Sequence, residues 1–186
     1  MIRALFFDLD GTLVDTHQAN FVAYRQALEA HGVTVTEDEF RKCQGHQARV
    51  FLRWFLPDMT PEVYRDIAQR KSRLYAENLD LTLVNDHLLG LLRAVCPDTT
   101  CAIVTTATRT NSEAVLRHHG LADRFSFMVT ADDVQNAKPH PEGYLLALAR
   151  ANVPAADALA FEDSRPGIEA AEAAGLAVVH IANLVP

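Results

Sequence analysis

The sequence predicts an α/β fold, a doubly wound parallel sheet carrying a small all-helical insert. Three observations lead there. A short apolar run, Ala4 to Phe7, opens the chain. Helical periodicity then fills residues 16–80 without a strand signal. From residue 81 onward, apolar runs of strand length alternate with amphipathic stretches, the pattern of parallel strands joined by crossover helices.

Composition narrows the function classes. The 186 residues suit one domain or a core with a modest insert, and 49% hydrophobic content can bury a sizeable core. A net charge of −7 leaves no basic face for nucleic acid, so no nucleic-acid partner is expected. No apolar run approaches the ~18 residues of a membrane span, so no membrane partner is expected either. With a strand predicted from residue 4, no signal peptide is expected. Cys43, Cys96 and Cys101 are odd in number and lack zinc-type spacing, which reads as free thiols in a reducing cytoplasm. A monomer is expected.

The first run, residues 4–7, reads as a strand buried on both faces. It stops at Asp8 and Asp10, spaced i, i+2, which would share one side if the extended backbone continued. Gly11 then permits a tight turn. Acids at the end of a buried strand are costly unless something pairs with them, and the usual partner is a metal ion.

Residues 17–30 read as a helix with Phe21, Tyr24 and Leu28 on one stripe, closed by His31-Gly32. Thr36 and Glu39 form a capping box that opens a short helix to about Cys43. Gly45 breaks the chain, and a third helix carries Val50, Phe51, Trp54 and Phe55, the aromatic residues supplying the insert's own core. Thr60-Pro61 starts a fourth helix that runs to about Asn78, with Val63, Ile67 and Leu74 facing inward.

Beyond the insert, Asn85-Asp86 cap a helix through Val95. Strands are then predicted over 101–105, 127–130, 158–161 and 176–181, with helices over 110–119, 141–151 and 166–174 between them. The expected organisation is a core of residues 1–15 and 81–186 with a helical insert at 16–80.

Four strings at predicted strand ends carry a resemblance. The first is Asp8-Leu9-Asp10-Gly11-Thr12-Leu13-Val14-Asp15. The second is Thr105-Thr106-Ala107, and the third is Ala137-Lys138-Pro139-His140-Pro141. The fourth is Glu162-Asp163-Ser164, followed by Gly167 and an alanine-rich helix. Together they resemble the haloacid dehalogenase (HAD) superfamily, over nearly the whole chain. The resemblance implies a HAD-like Rossmannoid core in which Asp8 is the nucleophile and Asp10 the acid and base. It implies that the Thr106 hydroxyl and the Ala107 N–H hold a phosphate oxygen, and that Lys138 neutralises nucleophile and phosphate. It implies Mg²⁺ held by Asp8, Asp163, the Asp10 backbone carbonyl and Glu162, which binds directly or through water. Carboxylates are the hard oxygen ligands that Mg²⁺ prefers.

The insert looks like the small helical cap of the β-phosphoglucomutase-like and phosphoglycolate phosphatase-like subfamily, which closes over the site and selects the substrate. Lys71 matches a cap lysine that contacts substrate in the mutases, and His46 and Arg49 are further candidates. Asn20 stands where the mutases carry a His. The family's Pro-Gly turn on the return from cap to core is replaced by Leu81-Thr82-Leu83-Val84-Asn85. The expected activity is a Mg²⁺-dependent phosphatase that hydrolyses a small phosphorylated metabolite, sugar-phosphate-like, through an aspartyl-phosphate. The alternatives are a β-phosphoglucomutase-like phosphomutase and a non-catalytic phosphate-binding protein. Dehalogenation does not fit, because the dehalogenases lack the second Asp and need no metal.

Overall fold

The computed structural model describes residues 1–43, 46–95 and 97–182; the expected break at Gly45 and the thiol of Cys96 lie outside them. The chain divides into two compact units. One holds residues 1–15 and the chain from Leu83 onward; the other is Thr16–Thr82.

The first unit is built on a five-stranded parallel sheet. Its strands are β1 (Ala4–Phe7), β4 (Thr100–Val104), β5 (Phe127–Val129), β6 (Ala158–Glu162) and β7 (Ala177–His180), in the order β5-β4-β1-β6-β7. β1 is central because all four of its residues are apolar on both faces, and all four are buried. Phe7 pairs with Ile103 of β4 and with Phe161 of β6. Parallel pairing in this register brings the residues after all three strands to one edge of the sheet, where ligands of open α/β sheets bind.

The helices of this unit are α5 (Asp86–Ala94), α6 (Arg109–His118), α7 (Glu142–Ala151) and α8 (Arg165–Ala173). Ala4, Phe6, Ala102, Val104 and Ala160 form one core with Tyr144 and Ala147 of α7 and Ala170 and Ala171 of α8. The small residues let α8 lie close to the sheet. Asn85 Oδ1 caps α5 by accepting from the His87 and Leu88 N–H groups.

Two features depart from the sequence expectation. The chain leaves the strand direction at Asp8, so Asp8 and Asp10 do not extend from one continued strand. The Leu9 carbonyl accepts from Leu13 N at 3.1 Å and Val14 N at 3.0 Å, and Gly11 sits at φ +87°, a conformation other residues rarely adopt. Second, β2 (Val14–Asp15) and β3 (Leu83–Val84) pair antiparallel at the point of return. Two-residue strands carry too little alternation to be read from sequence. They move the boundary between units to 82/83, two residues beyond the expected one.

The second unit holds α1 (His17–Glu29), α2 (Glu37–Arg41), α3 (Ala48–Phe55) and α4 (Pro61–Glu77). Its core gathers Phe21, Leu28, Phe40, Phe51, Leu52 and Ile67. The capping box forms: Glu39 N donates to Thr36 Oγ1, and Thr36 N donates to Glu39 Oε2. Thr60 caps α4. Val50 and Trp54 turn outward and are half exposed, since Phe51 and Leu52 take the inner face of α3. Cys43 and Cys101 are buried free thiols, and burial pushes the Cys43 thiol up to about 11. Among the described residues, no helix is long and apolar enough to cross a membrane.

Candidate active site

Asp8 follows directly on β1, and its N–H donates to the Phe161 carbonyl at 3.0 Å. That bond continues the β1–β6 ladder by one residue and delivers the carboxyl, buried, to the edge of the sheet. Lys138 reaches the same point from the loop before α7, where its peptide bond to Pro139 is cis. An ammonium has three protons. Those of Lys138 go to Asp8 Oδ1 at 2.6 Å, Glu162 Oε1 at 2.6 Å and the Val104 carbonyl at 2.8 Å.

Glu162 ends β6 and is fully buried. Its Oε1 also accepts from the Tyr144 hydroxyl. Its Oε2 has no hydrogen-bond partner among the described residues. Asp163 follows, and its Oδ1 accepts from the Thr12 hydroxyl at 2.9 Å. Gly11 and Gly167 close the site from two sides. A Cβ on Gly11 would overlap the Asp163 carboxylate, and one on Gly167 would overlap the Glu162 carboxylate.

The electrostatics follow from three acids and one base in a dry place. Burial pushes the Asp8 carboxyl well above the ordinary range, and the Glu162 and Asp163 charges add to this against the pull of Lys138. Burial also raises Asp163, opposed by its bond from Thr12. For Lys138 burial works downward, but Asp8, Tyr144 and Glu162 outweigh it, so the ammonium stays charged. Burial and the neighbouring Glu162 hold the Tyr144 phenol protonated, as a donor.

One oxygen from each of Asp8, Glu162 and Asp163 lies within 4.8 Å of the others. An all-oxygen set with an excess of negative charge, and with an orphaned oxygen on Glu162, fits a hard divalent cation.

Not every predicted residue is drawn into this cluster. Asp10 is half-buried, in the turn bridged to Val14, and is not among the three clustered acids. Thr106 is exposed, while its neighbour Thr105 is buried and accepts the Ala107 N–H on Oγ1 at 3.0 Å. The N–H expected to face a phosphate is therefore engaged within its own turn. A cavity beside Lys138 is lined by Val104, Thr106, Thr130, Asn136 and Tyr144.

The other four candidates lie in the helical unit. Asn20 Nδ2 donates to Thr16 Oγ1 at 3.0 Å, and the His46 ring meets Trp54 edge to face. The Arg49 guanidinium sits 5.1 Å from the Tyr64 ring centroid, and Lys71 Nζ lies 4.4 Å from that of Tyr75 and 5.1 Å from that of Tyr24.

Sequence reasoning missed Tyr144, Thr12 and the Val104 carbonyl. Tyr144 falls on an apolar helical stripe and passes for core. Its one signal was the hydroxyl, which needs a partner once the ring is buried.

Comparisons with known proteins identify the family. The profile of the haloacid dehalogenase-like hydrolase family matches residues 5–181. A phosphorylated carbohydrates phosphatase of Thermotoga maritima is 33% identical, over 98% of this chain and 88% of its own. A β-phosphoglucomutase of Bacillus subtilis is 26% identical, over 100% of this chain and 85% of its own. The crystal structure of a CbbY variant from Rhodobacter sphaeroides in complex with xylulose-(1,5)bisphosphate superposes with a TM-score of 0.88 at 28% identity, covering 99% of this chain and 88% of that one. The chain belongs to the haloacid dehalogenase-like hydrolase family.

Proposed function

We propose that the protein is a Mg²⁺-dependent phosphatase of a small phosphorylated metabolite, sugar-phosphate-like, working through an aspartyl-phosphate on Asp8. The observation that carries this is the buried Asp8 carboxyl with Lys138 on Oδ1 and Glu162 and Asp163 beside it at one sheet edge. The Thermotoga relative, named for phosphorylated carbohydrates, supports the substrate class.

On this reading the Asp8 carboxylate attacks phosphorus, and the ester P–O bond breaks as Asp10 gives its proton to the leaving alcohol. Water then attacks the phosphorus of the aspartyl-phosphate as Asp10 takes its proton, the bond from phosphorus to the Asp8 oxygen breaks, and inorganic phosphate leaves with the Asp8 carboxylate restored. One difficult displacement becomes two easier ones. Mg²⁺ would be held by the Asp8, Glu162 and Asp163 carboxylates and the Asp10 backbone carbonyl, and when bound it supplies charge neutralisation. Lys138 offsets the repulsion between a phosphate dianion and Asp8. Because its three protons are already used, it takes a phosphate oxygen only by giving up one of its present bonds. Thr106 receives a further oxygen, and the Ala107 N–H takes one only by giving up its bond to Thr105 Oγ1. The helical unit is the cap that selects the substrate, with Asn20, His46, Arg49 and Lys71 as its candidate contacts. The protein works as a cytoplasmic monomer.

Both hydrolysis and mutase transfer start from phosphorylated Asp8 and differ in what attacks it next. Asn20 lacks the charge of a protonated imidazole, so water is the expected acceptor. The test supplies β-glucose 1-phosphate with a trace of the bisphosphate and Mg²⁺, and assays glucose 6-phosphate and free phosphate together. Phosphate release is expected. Isomer formation much faster than release would make the protein a mutase. No turnover of any phosphomonoester, an aryl phosphate included, would leave a binding protein.

A further inference from the structure

Tyr144 sits in the first turn of α7, fully buried in the core with Phe6, Ala102 and Ala147. A phenylalanine would fill that space equally well. What it could not do is donate to Glu162, and the geometry around Glu162 makes that donation matter. Both hydrogen bonds to this buried carboxylate arrive on one oxygen, Oε1, from Tyr144 and Lys138. Oε2 has none among the described residues. With the hydroxyl removed, a single bond from Lys138 remains, and either oxygen can take it. The ammonium, which divides itself among Asp8, Glu162 and Val104, then loses its fixed third point.

Resting on the phosphatase reading, we propose that Tyr144 is a positioning residue: its hydroxyl fixes the Glu162 carboxylate and, through it, the Lys138 ammonium against Asp8. It touches no reacting atom. It decides which carboxylate oxygen serves Lys138 and which is left without a hydrogen bond among the described residues.

The test is Tyr144→Phe beside Glu162→Gln and the double variant, with p-nitrophenyl phosphate and Mg²⁺. Outer partners of metal sites cost about 10–100-fold in metal affinity or activity when removed. Tyr144→Phe is therefore expected to lower kcat about tenfold or more with KM within about twofold, and to shrink the rise in Tm that Mg²⁺ produces. In the Glu162→Gln background the same change is expected to add less than about twofold, because the two residues act as one unit. Full additivity, or a Phe variant with unchanged kcat and an unchanged Mg²⁺-induced rise, overturns the proposal. Absence of phosphatase activity in the wild type would sink the phosphatase reading alone. The Tm arm would still decide for Tyr144, and a wild type that does not respond to Mg²⁺ sinks both. If the Phe variant does not unfold cooperatively, the wild type decides: with isotope-labelled tyrosine, the Tyr144 hydroxyl proton resonance must shift on adding Mg²⁺, and an unmoved resonance overturns the proposal.

Discussion

Lys138 Nζ stands 2.6 Å from Asp8 Oδ1, with the two side chains 9% and 10% exposed. A pair this buried is not a surface ion pair, whose net worth is small. Removing one partner of a buried pair typically costs about 3–5 kcal/mol, because the other charge is left uncompensated. Here the uncompensated side would be three acids, Asp8, Glu162 and Asp163.

Lys138→Met is therefore expected to lose activity and to unfold at a clearly lower temperature in a chelating buffer. Mg²⁺ should then restore part of that stability, with a larger Tm rise than in the wild type, because the cation replaces the missing positive charge. Thermal unfolding with and without Mg²⁺ checks this. A smaller rise than wild type would mean that Lys138 helps to build the metal site rather than offset its charge.

Asp8→Asn tests the nucleophile and the pH linkage together. The amide is nearly isosteric and a poor nucleophile, so kcat should drop more than about a hundredfold, some 2.7 kcal/mol of barrier. The folded Asp8 carboxyl titrates well above its unfolded value, chiefly through burial. Such a group favours the folded state fully at low pH and loses that contribution as pH rises through its folded pKa. Metal-free Asp8→Asn should therefore gain on the wild type as pH increases. Urea midpoints from the ordinary carboxylate range upward measure it, and a difference that shrinks with pH would contradict the direction of the shift.

The metal itself is tested by exchange. Activity should vanish in excess chelator and return with Mg²⁺, while Ca²⁺ should inhibit. Ca²⁺ accepts more ligands at looser geometry and can take both oxygens of Asp8, which leaves no uncoordinated oxygen for attack. Full activity in excess chelator would remove the metal from the mechanism.

The sequence exposed those parts of the site whose residue types are hard to explain otherwise. Acids after buried strands at Asp8, Glu162 and Asp163 were legible because such burial is costly without a partner. β1, β4 and β6 were legible because buried strands read as apolar runs, and β5 and the largely exposed β7 carry short apolar runs as well. Tyr144 was hidden, since a tyrosine on an apolar helical stripe looks like core and its partner is distant in sequence. The Val104 carbonyl carries no side-chain signal at all, and β2 and β3 are too short to show a period. Trp54 misled because apolar content was read as burial, although single large hydrophobic residues are often exposed.

Gly167 offers the sharpest contest between local and tertiary physics. It lies in α8, where helix propensity alone favours alanine by roughly 0.5–1 kcal/mol. A Cβ there, however, would overlap the Glu162 carboxyl group, both of its oxygens included. That group cannot swing aside cheaply, since Oε1 is held by Lys138 and Tyr144. Forcing extra volume into a packed site typically costs about 1–3 kcal/mol, so the tertiary effect should win. Gly90, in α5, supplies the control, because a Cβ at that position would have nothing within 4 Å of it. Gly90→Ala should raise Tm by about 1–4 °C, as expected for a propensity gain of that size in a chain of this length. Gly167→Ala should lower Tm and also reduce the further rise that Mg²⁺ gives, because it displaces a carboxylate of the metal set. Thermal unfolding of both variants with and without Mg²⁺ is the measurement. If Gly167→Ala behaved like Gly90→Ala, the Glu162 carboxylate would have to be free to move, and its role as a fixed part of the site would fall.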